Sequence, residues 1–172
     1  MALIKPVRGF TPVIGENTYL ADNATIIGHV AIGTNSSIWF NAVIRGDVNF
    51  IRIGNNVNIQ DGAVLHALYE KSIIDIEDNV SIGHNVTIHG AKICAGALIG
   101  MGSVLLDNCV IGEGAIVAAG SVVLSNTVVK AGCVYAGVPA KFVKRVDVRQ
   151  SKELNQKIAN NYKMYAAWYQ KV

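Results

Sequence analysis

The sequence predicts an all-β chain wound as a parallel β-helix of hexapeptide repeats and finished by one C-terminal helix. The first observation is a period. An aliphatic residue recurs every six positions at Ile14, Leu20, Ile26, Ile32, Ile38 and Ile44, and again at Ile93, Ile99, Leu105, Ile111, Val117, Val123 and Val129. Neither an alternating strand nor an amphipathic helix sustains that period, whereas short β-branched units of this kind mark a parallel β-helix. The second observation is the filling between anchors, rich in Gly and Asn, which supply the backbone angles of tight corners. Each unit makes one short strand and a corner, three units make a triangular coil, and coils stack at roughly 4.8 Å. The third is that the period ends near residue 140 and gives way to a helical one.

Taken in order, residues 1–13 read as an N-terminal strand or cap, because Pro6 and Pro12 disfavour a helix. Residues 14–140 are the β-helix, its last unit leaving at Pro139. Residues 141–172 are a linker and an α-helix. Ser151 is the expected N-cap, and Leu154, Ile158, Tyr162, Tyr165 and Tyr169 fall on one helical stripe that packs on the prism or on a neighbouring subunit.

With 172 residues the chain is one domain plus an appendage, long enough for a real core. Its apolar content is Ile and Val spaced by Gly, Asn and charge, and no run approaches a membrane span. The first ten residues lack a secretory apolar core, so a cytoplasmic protein is expected. Cys94, Cys109 and Cys133 have no paired or metal-binding spacing and read as small buried residues. The net charge of +3 divides into +6 over residues 141–172 and −3 over the body. With no nucleic-acid motif beside it, the basic tail reads as a solvated helix face, and neither nucleic acid nor membrane is an expected partner.

The repeat also measures where the histidines stand. The period breaks at Ile44 to Ile53, a step of nine, at Leu65 to Ile76, eleven, and at Ile88 to Ile93, five. These breaks cluster around His66, His84 and His89. His66 follows anchor Leu65 and His89 follows anchor Ile88; their separation of 23, less the five extra residues of the 65–76 step, is 18, one full coil. The two imidazoles are therefore expected one rung apart on one face. His84, second after Ile82, belongs to the neighbouring face and should not reach a metal the other two share. That conflict suggests an oligomer. If His66 and His89 of one chain met His84 of another, three imidazoles could hold Zn²⁺ at roughly 2.0–2.1 Å and leave a fourth position open, the catalytic pattern. Three-fold symmetry would make three such sites. His29 has no metal-spaced partner and reads as a surface or internally satisfied residue.

Polar residues gather upstream of His66. Arg45 and Asp47, two apart, can project to one side of an extended segment and form an ion pair suited to a subunit interface or to a role in catalysis. Gln60 could orient a metal-bound hydroxide, since an amide both accepts and donates. Asn58 is equally a corner ladder residue. Zinc lowers the pKa of bound water from about 15.7 to roughly 7, so a small electrophile such as CO₂ could be attacked without a protein nucleophile. Glu70, in the 65–76 insertion, is the nearest ionisable candidate for carrying the released proton, with Tyr69 beside it.

Arg45-Gly46-Asp47, Asn58-Ile59-Gln60-Asp61, His66 and the segment Gly83-His84 to His89-Gly90 closely resemble the gamma-class carbonic anhydrases and their shorter YrdA-like, PaaY-like or ferripyochelin-binding-protein-like relatives. The resemblance covers about residues 10–170. It implies a left-handed parallel β-helix and a homotrimer with Zn²⁺, or Fe²⁺ or Co²⁺, at each subunit interface, ligated by His66, His84 and His89. It further implies that Gln60 and Asn58 line the active site, that Arg45 and Asp47 form the interface ion pair, and that the substrate is CO₂ or bicarbonate. Where the archetypal enzyme has a Glu directly after the Asp47 position this chain has Val48, and the acidic loop is shortened to residues 67–72. Weaker CO₂ hydration follows from that departure. Two other classes compete: acyl transfer from, or thioester hydrolysis of, an acyl coenzyme A with one histidine as general base, and a catalytically idle trimeric scaffold stapled by its metal.

Overall fold

The anchors build the coil as the period predicts. The structure is a computed structural model that describes residues 1–169. Ile26, Ile38, Ile44, Ile59, Leu65, Ile82, Ile88, Ile99 and Leu105 are all fully buried and stack into one continuous column of aliphatic side chains. Parallel pairing runs from coil to coil, so that Leu65 is paired with Ile44 below and Ile88 above. Corners turn at left-handed residues such as Asn85 (φ 56°) and Asn108 (φ 59°), a conformation that Asn tolerates better than most residues.

The three faces of the prism differ in what they present outward. One face carries Leu20, Ile38, Ile59, Ile82, Ile99, Val117 and Tyr135 in an eight-stranded sheet and lies under the C-terminal helix. A second carries Ile26, Ile44, Leu65, Ile88, Leu105 and Val123; its outward residues include Val43, Val64, Val104, Leu106, Val122 and Leu124, an uncovered apolar strip. The third is charged, with ion pairs Arg52–Asp75 and, at 3.5 Å, Lys92–Glu77. Exposed pairs of this sort contribute about 0–1 kcal/mol each, and they keep this face wet.

The structure departs from one strand per repeat at two places. Thr25–Ile32 and Val43–Ile53 pass a corner unbroken and fuse the second and third faces into a 12-stranded sheet. Gly28 and Gly46 allow it: a Cβ on Gly28 would lie 2.5 Å from the Gly46 carbonyl oxygen, and one on Gly46 would lie 2.6 Å from that of His29. His29 itself lies between Phe10, stacked at a ring separation of 4.0 Å, and Phe50, tilted at 4.5 Å. Its environment is packing. Cys109 and Cys133 are buried, all three cysteines are free, and burial pushes the Cys109 thiol up to about 12.

The C-terminal segment needs two corrections. Residues 141–145 are not a plain linker, because Lys141–Arg145 pairs antiparallel with Cys133–Ala136 and closes the end of the coil. Nor is Ser151 the N-cap. The helix spans Val148–Tyr169, the Ser151 N–H donates to the Asp147 carbonyl, and its buried hydroxyl donates to the Gly114 carbonyl. The buried stripe is accordingly Ser151, Asn155, Ala159 and Ala166, with Tyr162 and Tyr165 packed beside them and the Tyr169 ring against Trp39 and Phe40, while Leu154 is exposed. Asn155 donates to the Gly96 carbonyl. Small and hydrogen-bonding residues face the coil because the helix approaches glycine corners whose carbonyls need donors. Hydrophobic periodicity cannot register that requirement. No helix is long and apolar enough to cross a membrane among the described residues.

Candidate metal centre

His66 ends the strand Val64–His66 and His89 ends Thr87–His89, and the two are direct register partners on the uncovered apolar face. Their ring centroids are 5.5 Å apart. His84 follows the strand Ser81–Ile82 of the helix-covered face, so the single chain does not bring it to the other two. The division that the six-residue ruler predicts is the one observed.

Each imidazole is held by a carboxylate. His89 Nδ1 lies 2.9 Å from Asp107 Oδ2, His84 Nδ1 lies 2.9 Å from Asp61 Oδ2, and His66 Nε2 lies 3.2 Å from Asp47 Oδ1. An ionised carboxylate only accepts, so each contacted nitrogen carries a hydrogen, and in the neutral ring the other nitrogen is the one left with a lone pair. This is how imidazoles are prepared for a cation. Burial, with the nearby Arg45 charge, holds His66 below its ordinary pKa and favours the neutral ring that ligation needs. Burial pushes the Asp47 and Asp107 carboxyls up, but hydrogen bonds outweigh it, from Arg45 to Asp47 and from Ser72 and His89 to Asp107, and both sit below the usual carboxylate range.

Arg45 Nη1 donates to Asp47 Oδ2 at 2.7 Å, so the expected ion pair forms inside one chain, and the other Asp47 oxygen is left for His66. Asn58 and Gln60 stand on the His84 side, not beside His66 and His89. Both are buried; Gln60 Nε2 donates to Asn58 Oδ1 at 3.0 Å and Asn58 Nδ2 to Ser81 Oγ at 2.8 Å. Gln60 Oε1 is thereby fixed as an acceptor. His84 Nε2 lies 3.5 Å from the hydroxyl of Tyr162, in a shallow groove with Trp39, Phe40, Tyr165 and Trp168. Burial, with Asp61 and Tyr165 nearby, pushes the Tyr162 phenol up to about 12, so it stays a neutral hydroxyl. Tyr69 and Glu70 are exposed on the inserted loop; Arg8 lies over the Tyr69 ring at 5.5 Å, and Glu70 occupies a left-handed turn position, φ 54°.

Asp107 and Ser72 are functional candidates that sequence reasoning missed. Asp107 was within reach of the ruler, since it stands 18 residues, one coil, after His89. Ser72 was not, because a loop of irregular length brings it there.

The donor set suits a borderline divalent ion of the zinc type: imidazoles, each oriented by a carboxylate, in two groups of two and one. Gly83 fixes the second group. A Cβ there would lie 2.7 Å from the Met101 amide nitrogen, so Gly83→Ala is expected to cost about 1–3 kcal/mol of overpacking and to displace His84. Chemical denaturation and metal titration of the variant measure the two effects.

A sequence profile described as "Bacterial transferase hexapeptide (six repeats)" matches residues 11–46 and 90–125. A carbonic anhydrase of Geobacillus kaustophilus is 48% identical over 171 residues, covering 98% of this chain and 93% of that protein. The chain belongs to the gamma-carbonic-anhydrase-like family of hexapeptide-repeat proteins. Within this family, the mitochondrial gamma carbonic anhydrase 2 of Arabidopsis thaliana is 40% identical over 88% of the chain, which spans 56% of that longer protein. Among solved structures, a Bacillus cereus protein described as a candidate acetyltransferase superposes with a TM-score of 0.93 at 39% identity, covering 98% of this chain and 96% of that one. The gamma-carbonic-anhydrase-like fold and the hexapeptide coil are thus the same feature seen from sequence and from structure.

Proposed function

We infer that the chain is a metal-dependent carbonic anhydrase of the gamma type, acting on CO₂ and bicarbonate as a homotrimer with Zn²⁺ held by His66 and His89 of one subunit and His84 of the next. One observation carries the reading: three imidazoles, each oriented by its own carboxylate, stand at opposite edges of the uncovered apolar face, His66 and His89 at the ends of its strands and His84 on the corner that leads into it. An exposed apolar strip beside an incomplete donor set is what a symmetric interface that completes the site would require. Fe²⁺ and Co²⁺ are compatible with the same donors.

A divalent ion held there supplies Lewis acidity, the means by which water becomes nucleophilic near neutral pH. The chain supplies the rest. Gln60, its amide nitrogen committed to Asn58, offers Oε1 to accept a hydrogen from a substrate or water oxygen. Arg45 keeps Asp47 ionised, and Asp47 in turn orients His66. Tyr69 and Glu70, exposed on the loop next to His66, are the groups through which protons would pass to buffer. Val48 and the short loop lower the expected rate relative to the archetypal enzyme, but they leave the ligand set untouched.

Acyl transfer or thioester hydrolysis is the second reading, favoured by the likeness to a candidate acetyltransferase. A stopped-flow CO₂ hydration assay on metal-verified protein, run beside an acetyl-coenzyme A hydrolysis assay, separates the two. Metal-dependent hydration that vanishes in His66→Ala is the expected result; thioester turnover that survives chelation would overturn it. An idle scaffold would show neither activity and would lose its trimer on chelation.

A further inference from the structure

We propose that Ser72 is a positioning residue for His89, acting through Asp107 to fix which ring nitrogen carries the hydrogen. The inference rests on the proposed metal site for its consequence but not for its test. Ser72 stands between two exposed residues, Lys71 and Ile73, yet is itself buried, because its side chain turns inward to the histidine edge of the coil. Its hydroxyl accepts from the Leu68 amide at 2.9 Å and donates to Asp107 Oδ1 at 2.6 Å. Its carbonyl accepts from Asn49 Nδ2 at 2.8 Å, which ties it to the long strand that carries Arg45 and Asp47.

The direction of the hydroxyl hydrogen follows from these partners. The Leu68 N–H is a donor and cannot receive it, so the hydrogen goes to Asp107. With Oδ1 engaged, Asp107 presents Oδ2 to His89 Nδ1 at 2.9 Å. Nδ1 then carries a hydrogen, and in the neutral ring Nε2 is the nitrogen left with the lone pair. The five residues added between Leu65 and Ile76 acquire a purpose: they let one side chain from the His66 coil reach the carboxylate two coils on. Gly90 makes room for it, since a Cβ at that position would collide with Ser72 Oγ and lie 2.5 Å from Asp107 Oδ1.

Without the hydroxyl, Asp107 keeps both oxygens and its charge but loses the bond that sets its rotation. Ser72→Ala should therefore change the tautomer of His89 while leaving the coil folded. The direct readout is the imidazole ¹⁵N spectrum of histidine-labelled, metal-free full-length protein. Wild type is expected to show His89 as the Nδ1–H tautomer, Ser72→Ala as a mixture of both, and Ser72→Thr, which restores the hydroxyl, as wild type. In a chelator competition, Zn²⁺ affinity should fall about 10- to 100-fold in Ser72→Ala, the usual cost of losing an outer-shell partner. Co²⁺ absorption should shift with it. An unchanged His89 tautomer in Ser72→Ala, or a wild-type His89 that is not Nδ1–H, overturns the proposal whatever the metal results. A changed tautomer in a protein whose wild type binds no Zn²⁺ would instead uphold the positioning role and overturn the metal reading.

Discussion

His84→Ala is expected to lower zinc content as far as His66→Ala does, although the two residues stand on different faces of one chain. The fall should exceed the roughly 10- to 100-fold that loss of an orienting partner costs, because a ligand itself is gone. CO₂ hydration should fall in parallel. A stronger form of the experiment uses both variants together. In mixed trimers, a site is intact when its His66–His89 pair comes from a His84→Ala chain and its His84 from a His66→Ala chain. Random mixing of equal amounts should restore about one quarter of the sites under cyclic symmetry. Metal analysis of verified mixed trimers measures this fraction. No recovery would mean that the ligands do not come from two chains.

Leu65→Ala is expected to have the largest effect on stability. Leu65 is fully buried between Ile44 and Ile88, and truncation of a leucine in such a column costs about 2–5 kcal/mol, part from lost burial and part from the cavity left behind. Denaturant unfolding at fixed chain concentration reads the loss. The variant should also bind metal more weakly, since the backbone that carries His66 begins at the next residue. Val64→Ser makes the contrast. Val64 is 39% exposed on the apolar face, so its replacement should change the stability of the isolated fold by no more than about 0.5 kcal/mol. Its effect should appear in sedimentation analysis as weaker association, because that face is the one proposed to meet its copies.

Both experiments probe the same arrangement, an aliphatic column that spaces polar residues on its outer surface. An anchor every six residues fixes the height of each coil, and the residue next to an anchor inherits that height. The helix contributes differently. Tyr162 reaches His84 and packs against Trp39, with ring centroids 5.3 Å apart, so it covers one group of the candidate site and leaves the apolar strip open.

The coil, the buried column from Ile26 to Val129, the stacking of His66 on His89 and the placement of His84 on another face were all legible from residue order alone. The reason is that a strict period is a coordinate system: counting residues in a stacked coil is the same as measuring distance along its axis. Family motifs added the ligand set and the expected chemistry. Which helix face is buried, that Ser151 sits inside the helix, and that Asp107 and Ser72 stand behind His89 emerge first from the fold. Those outcomes depend on carbonyls and hydroxyls meeting across coils and along an irregular loop, and neither polarity nor period encodes where a loop of odd length returns its side chains.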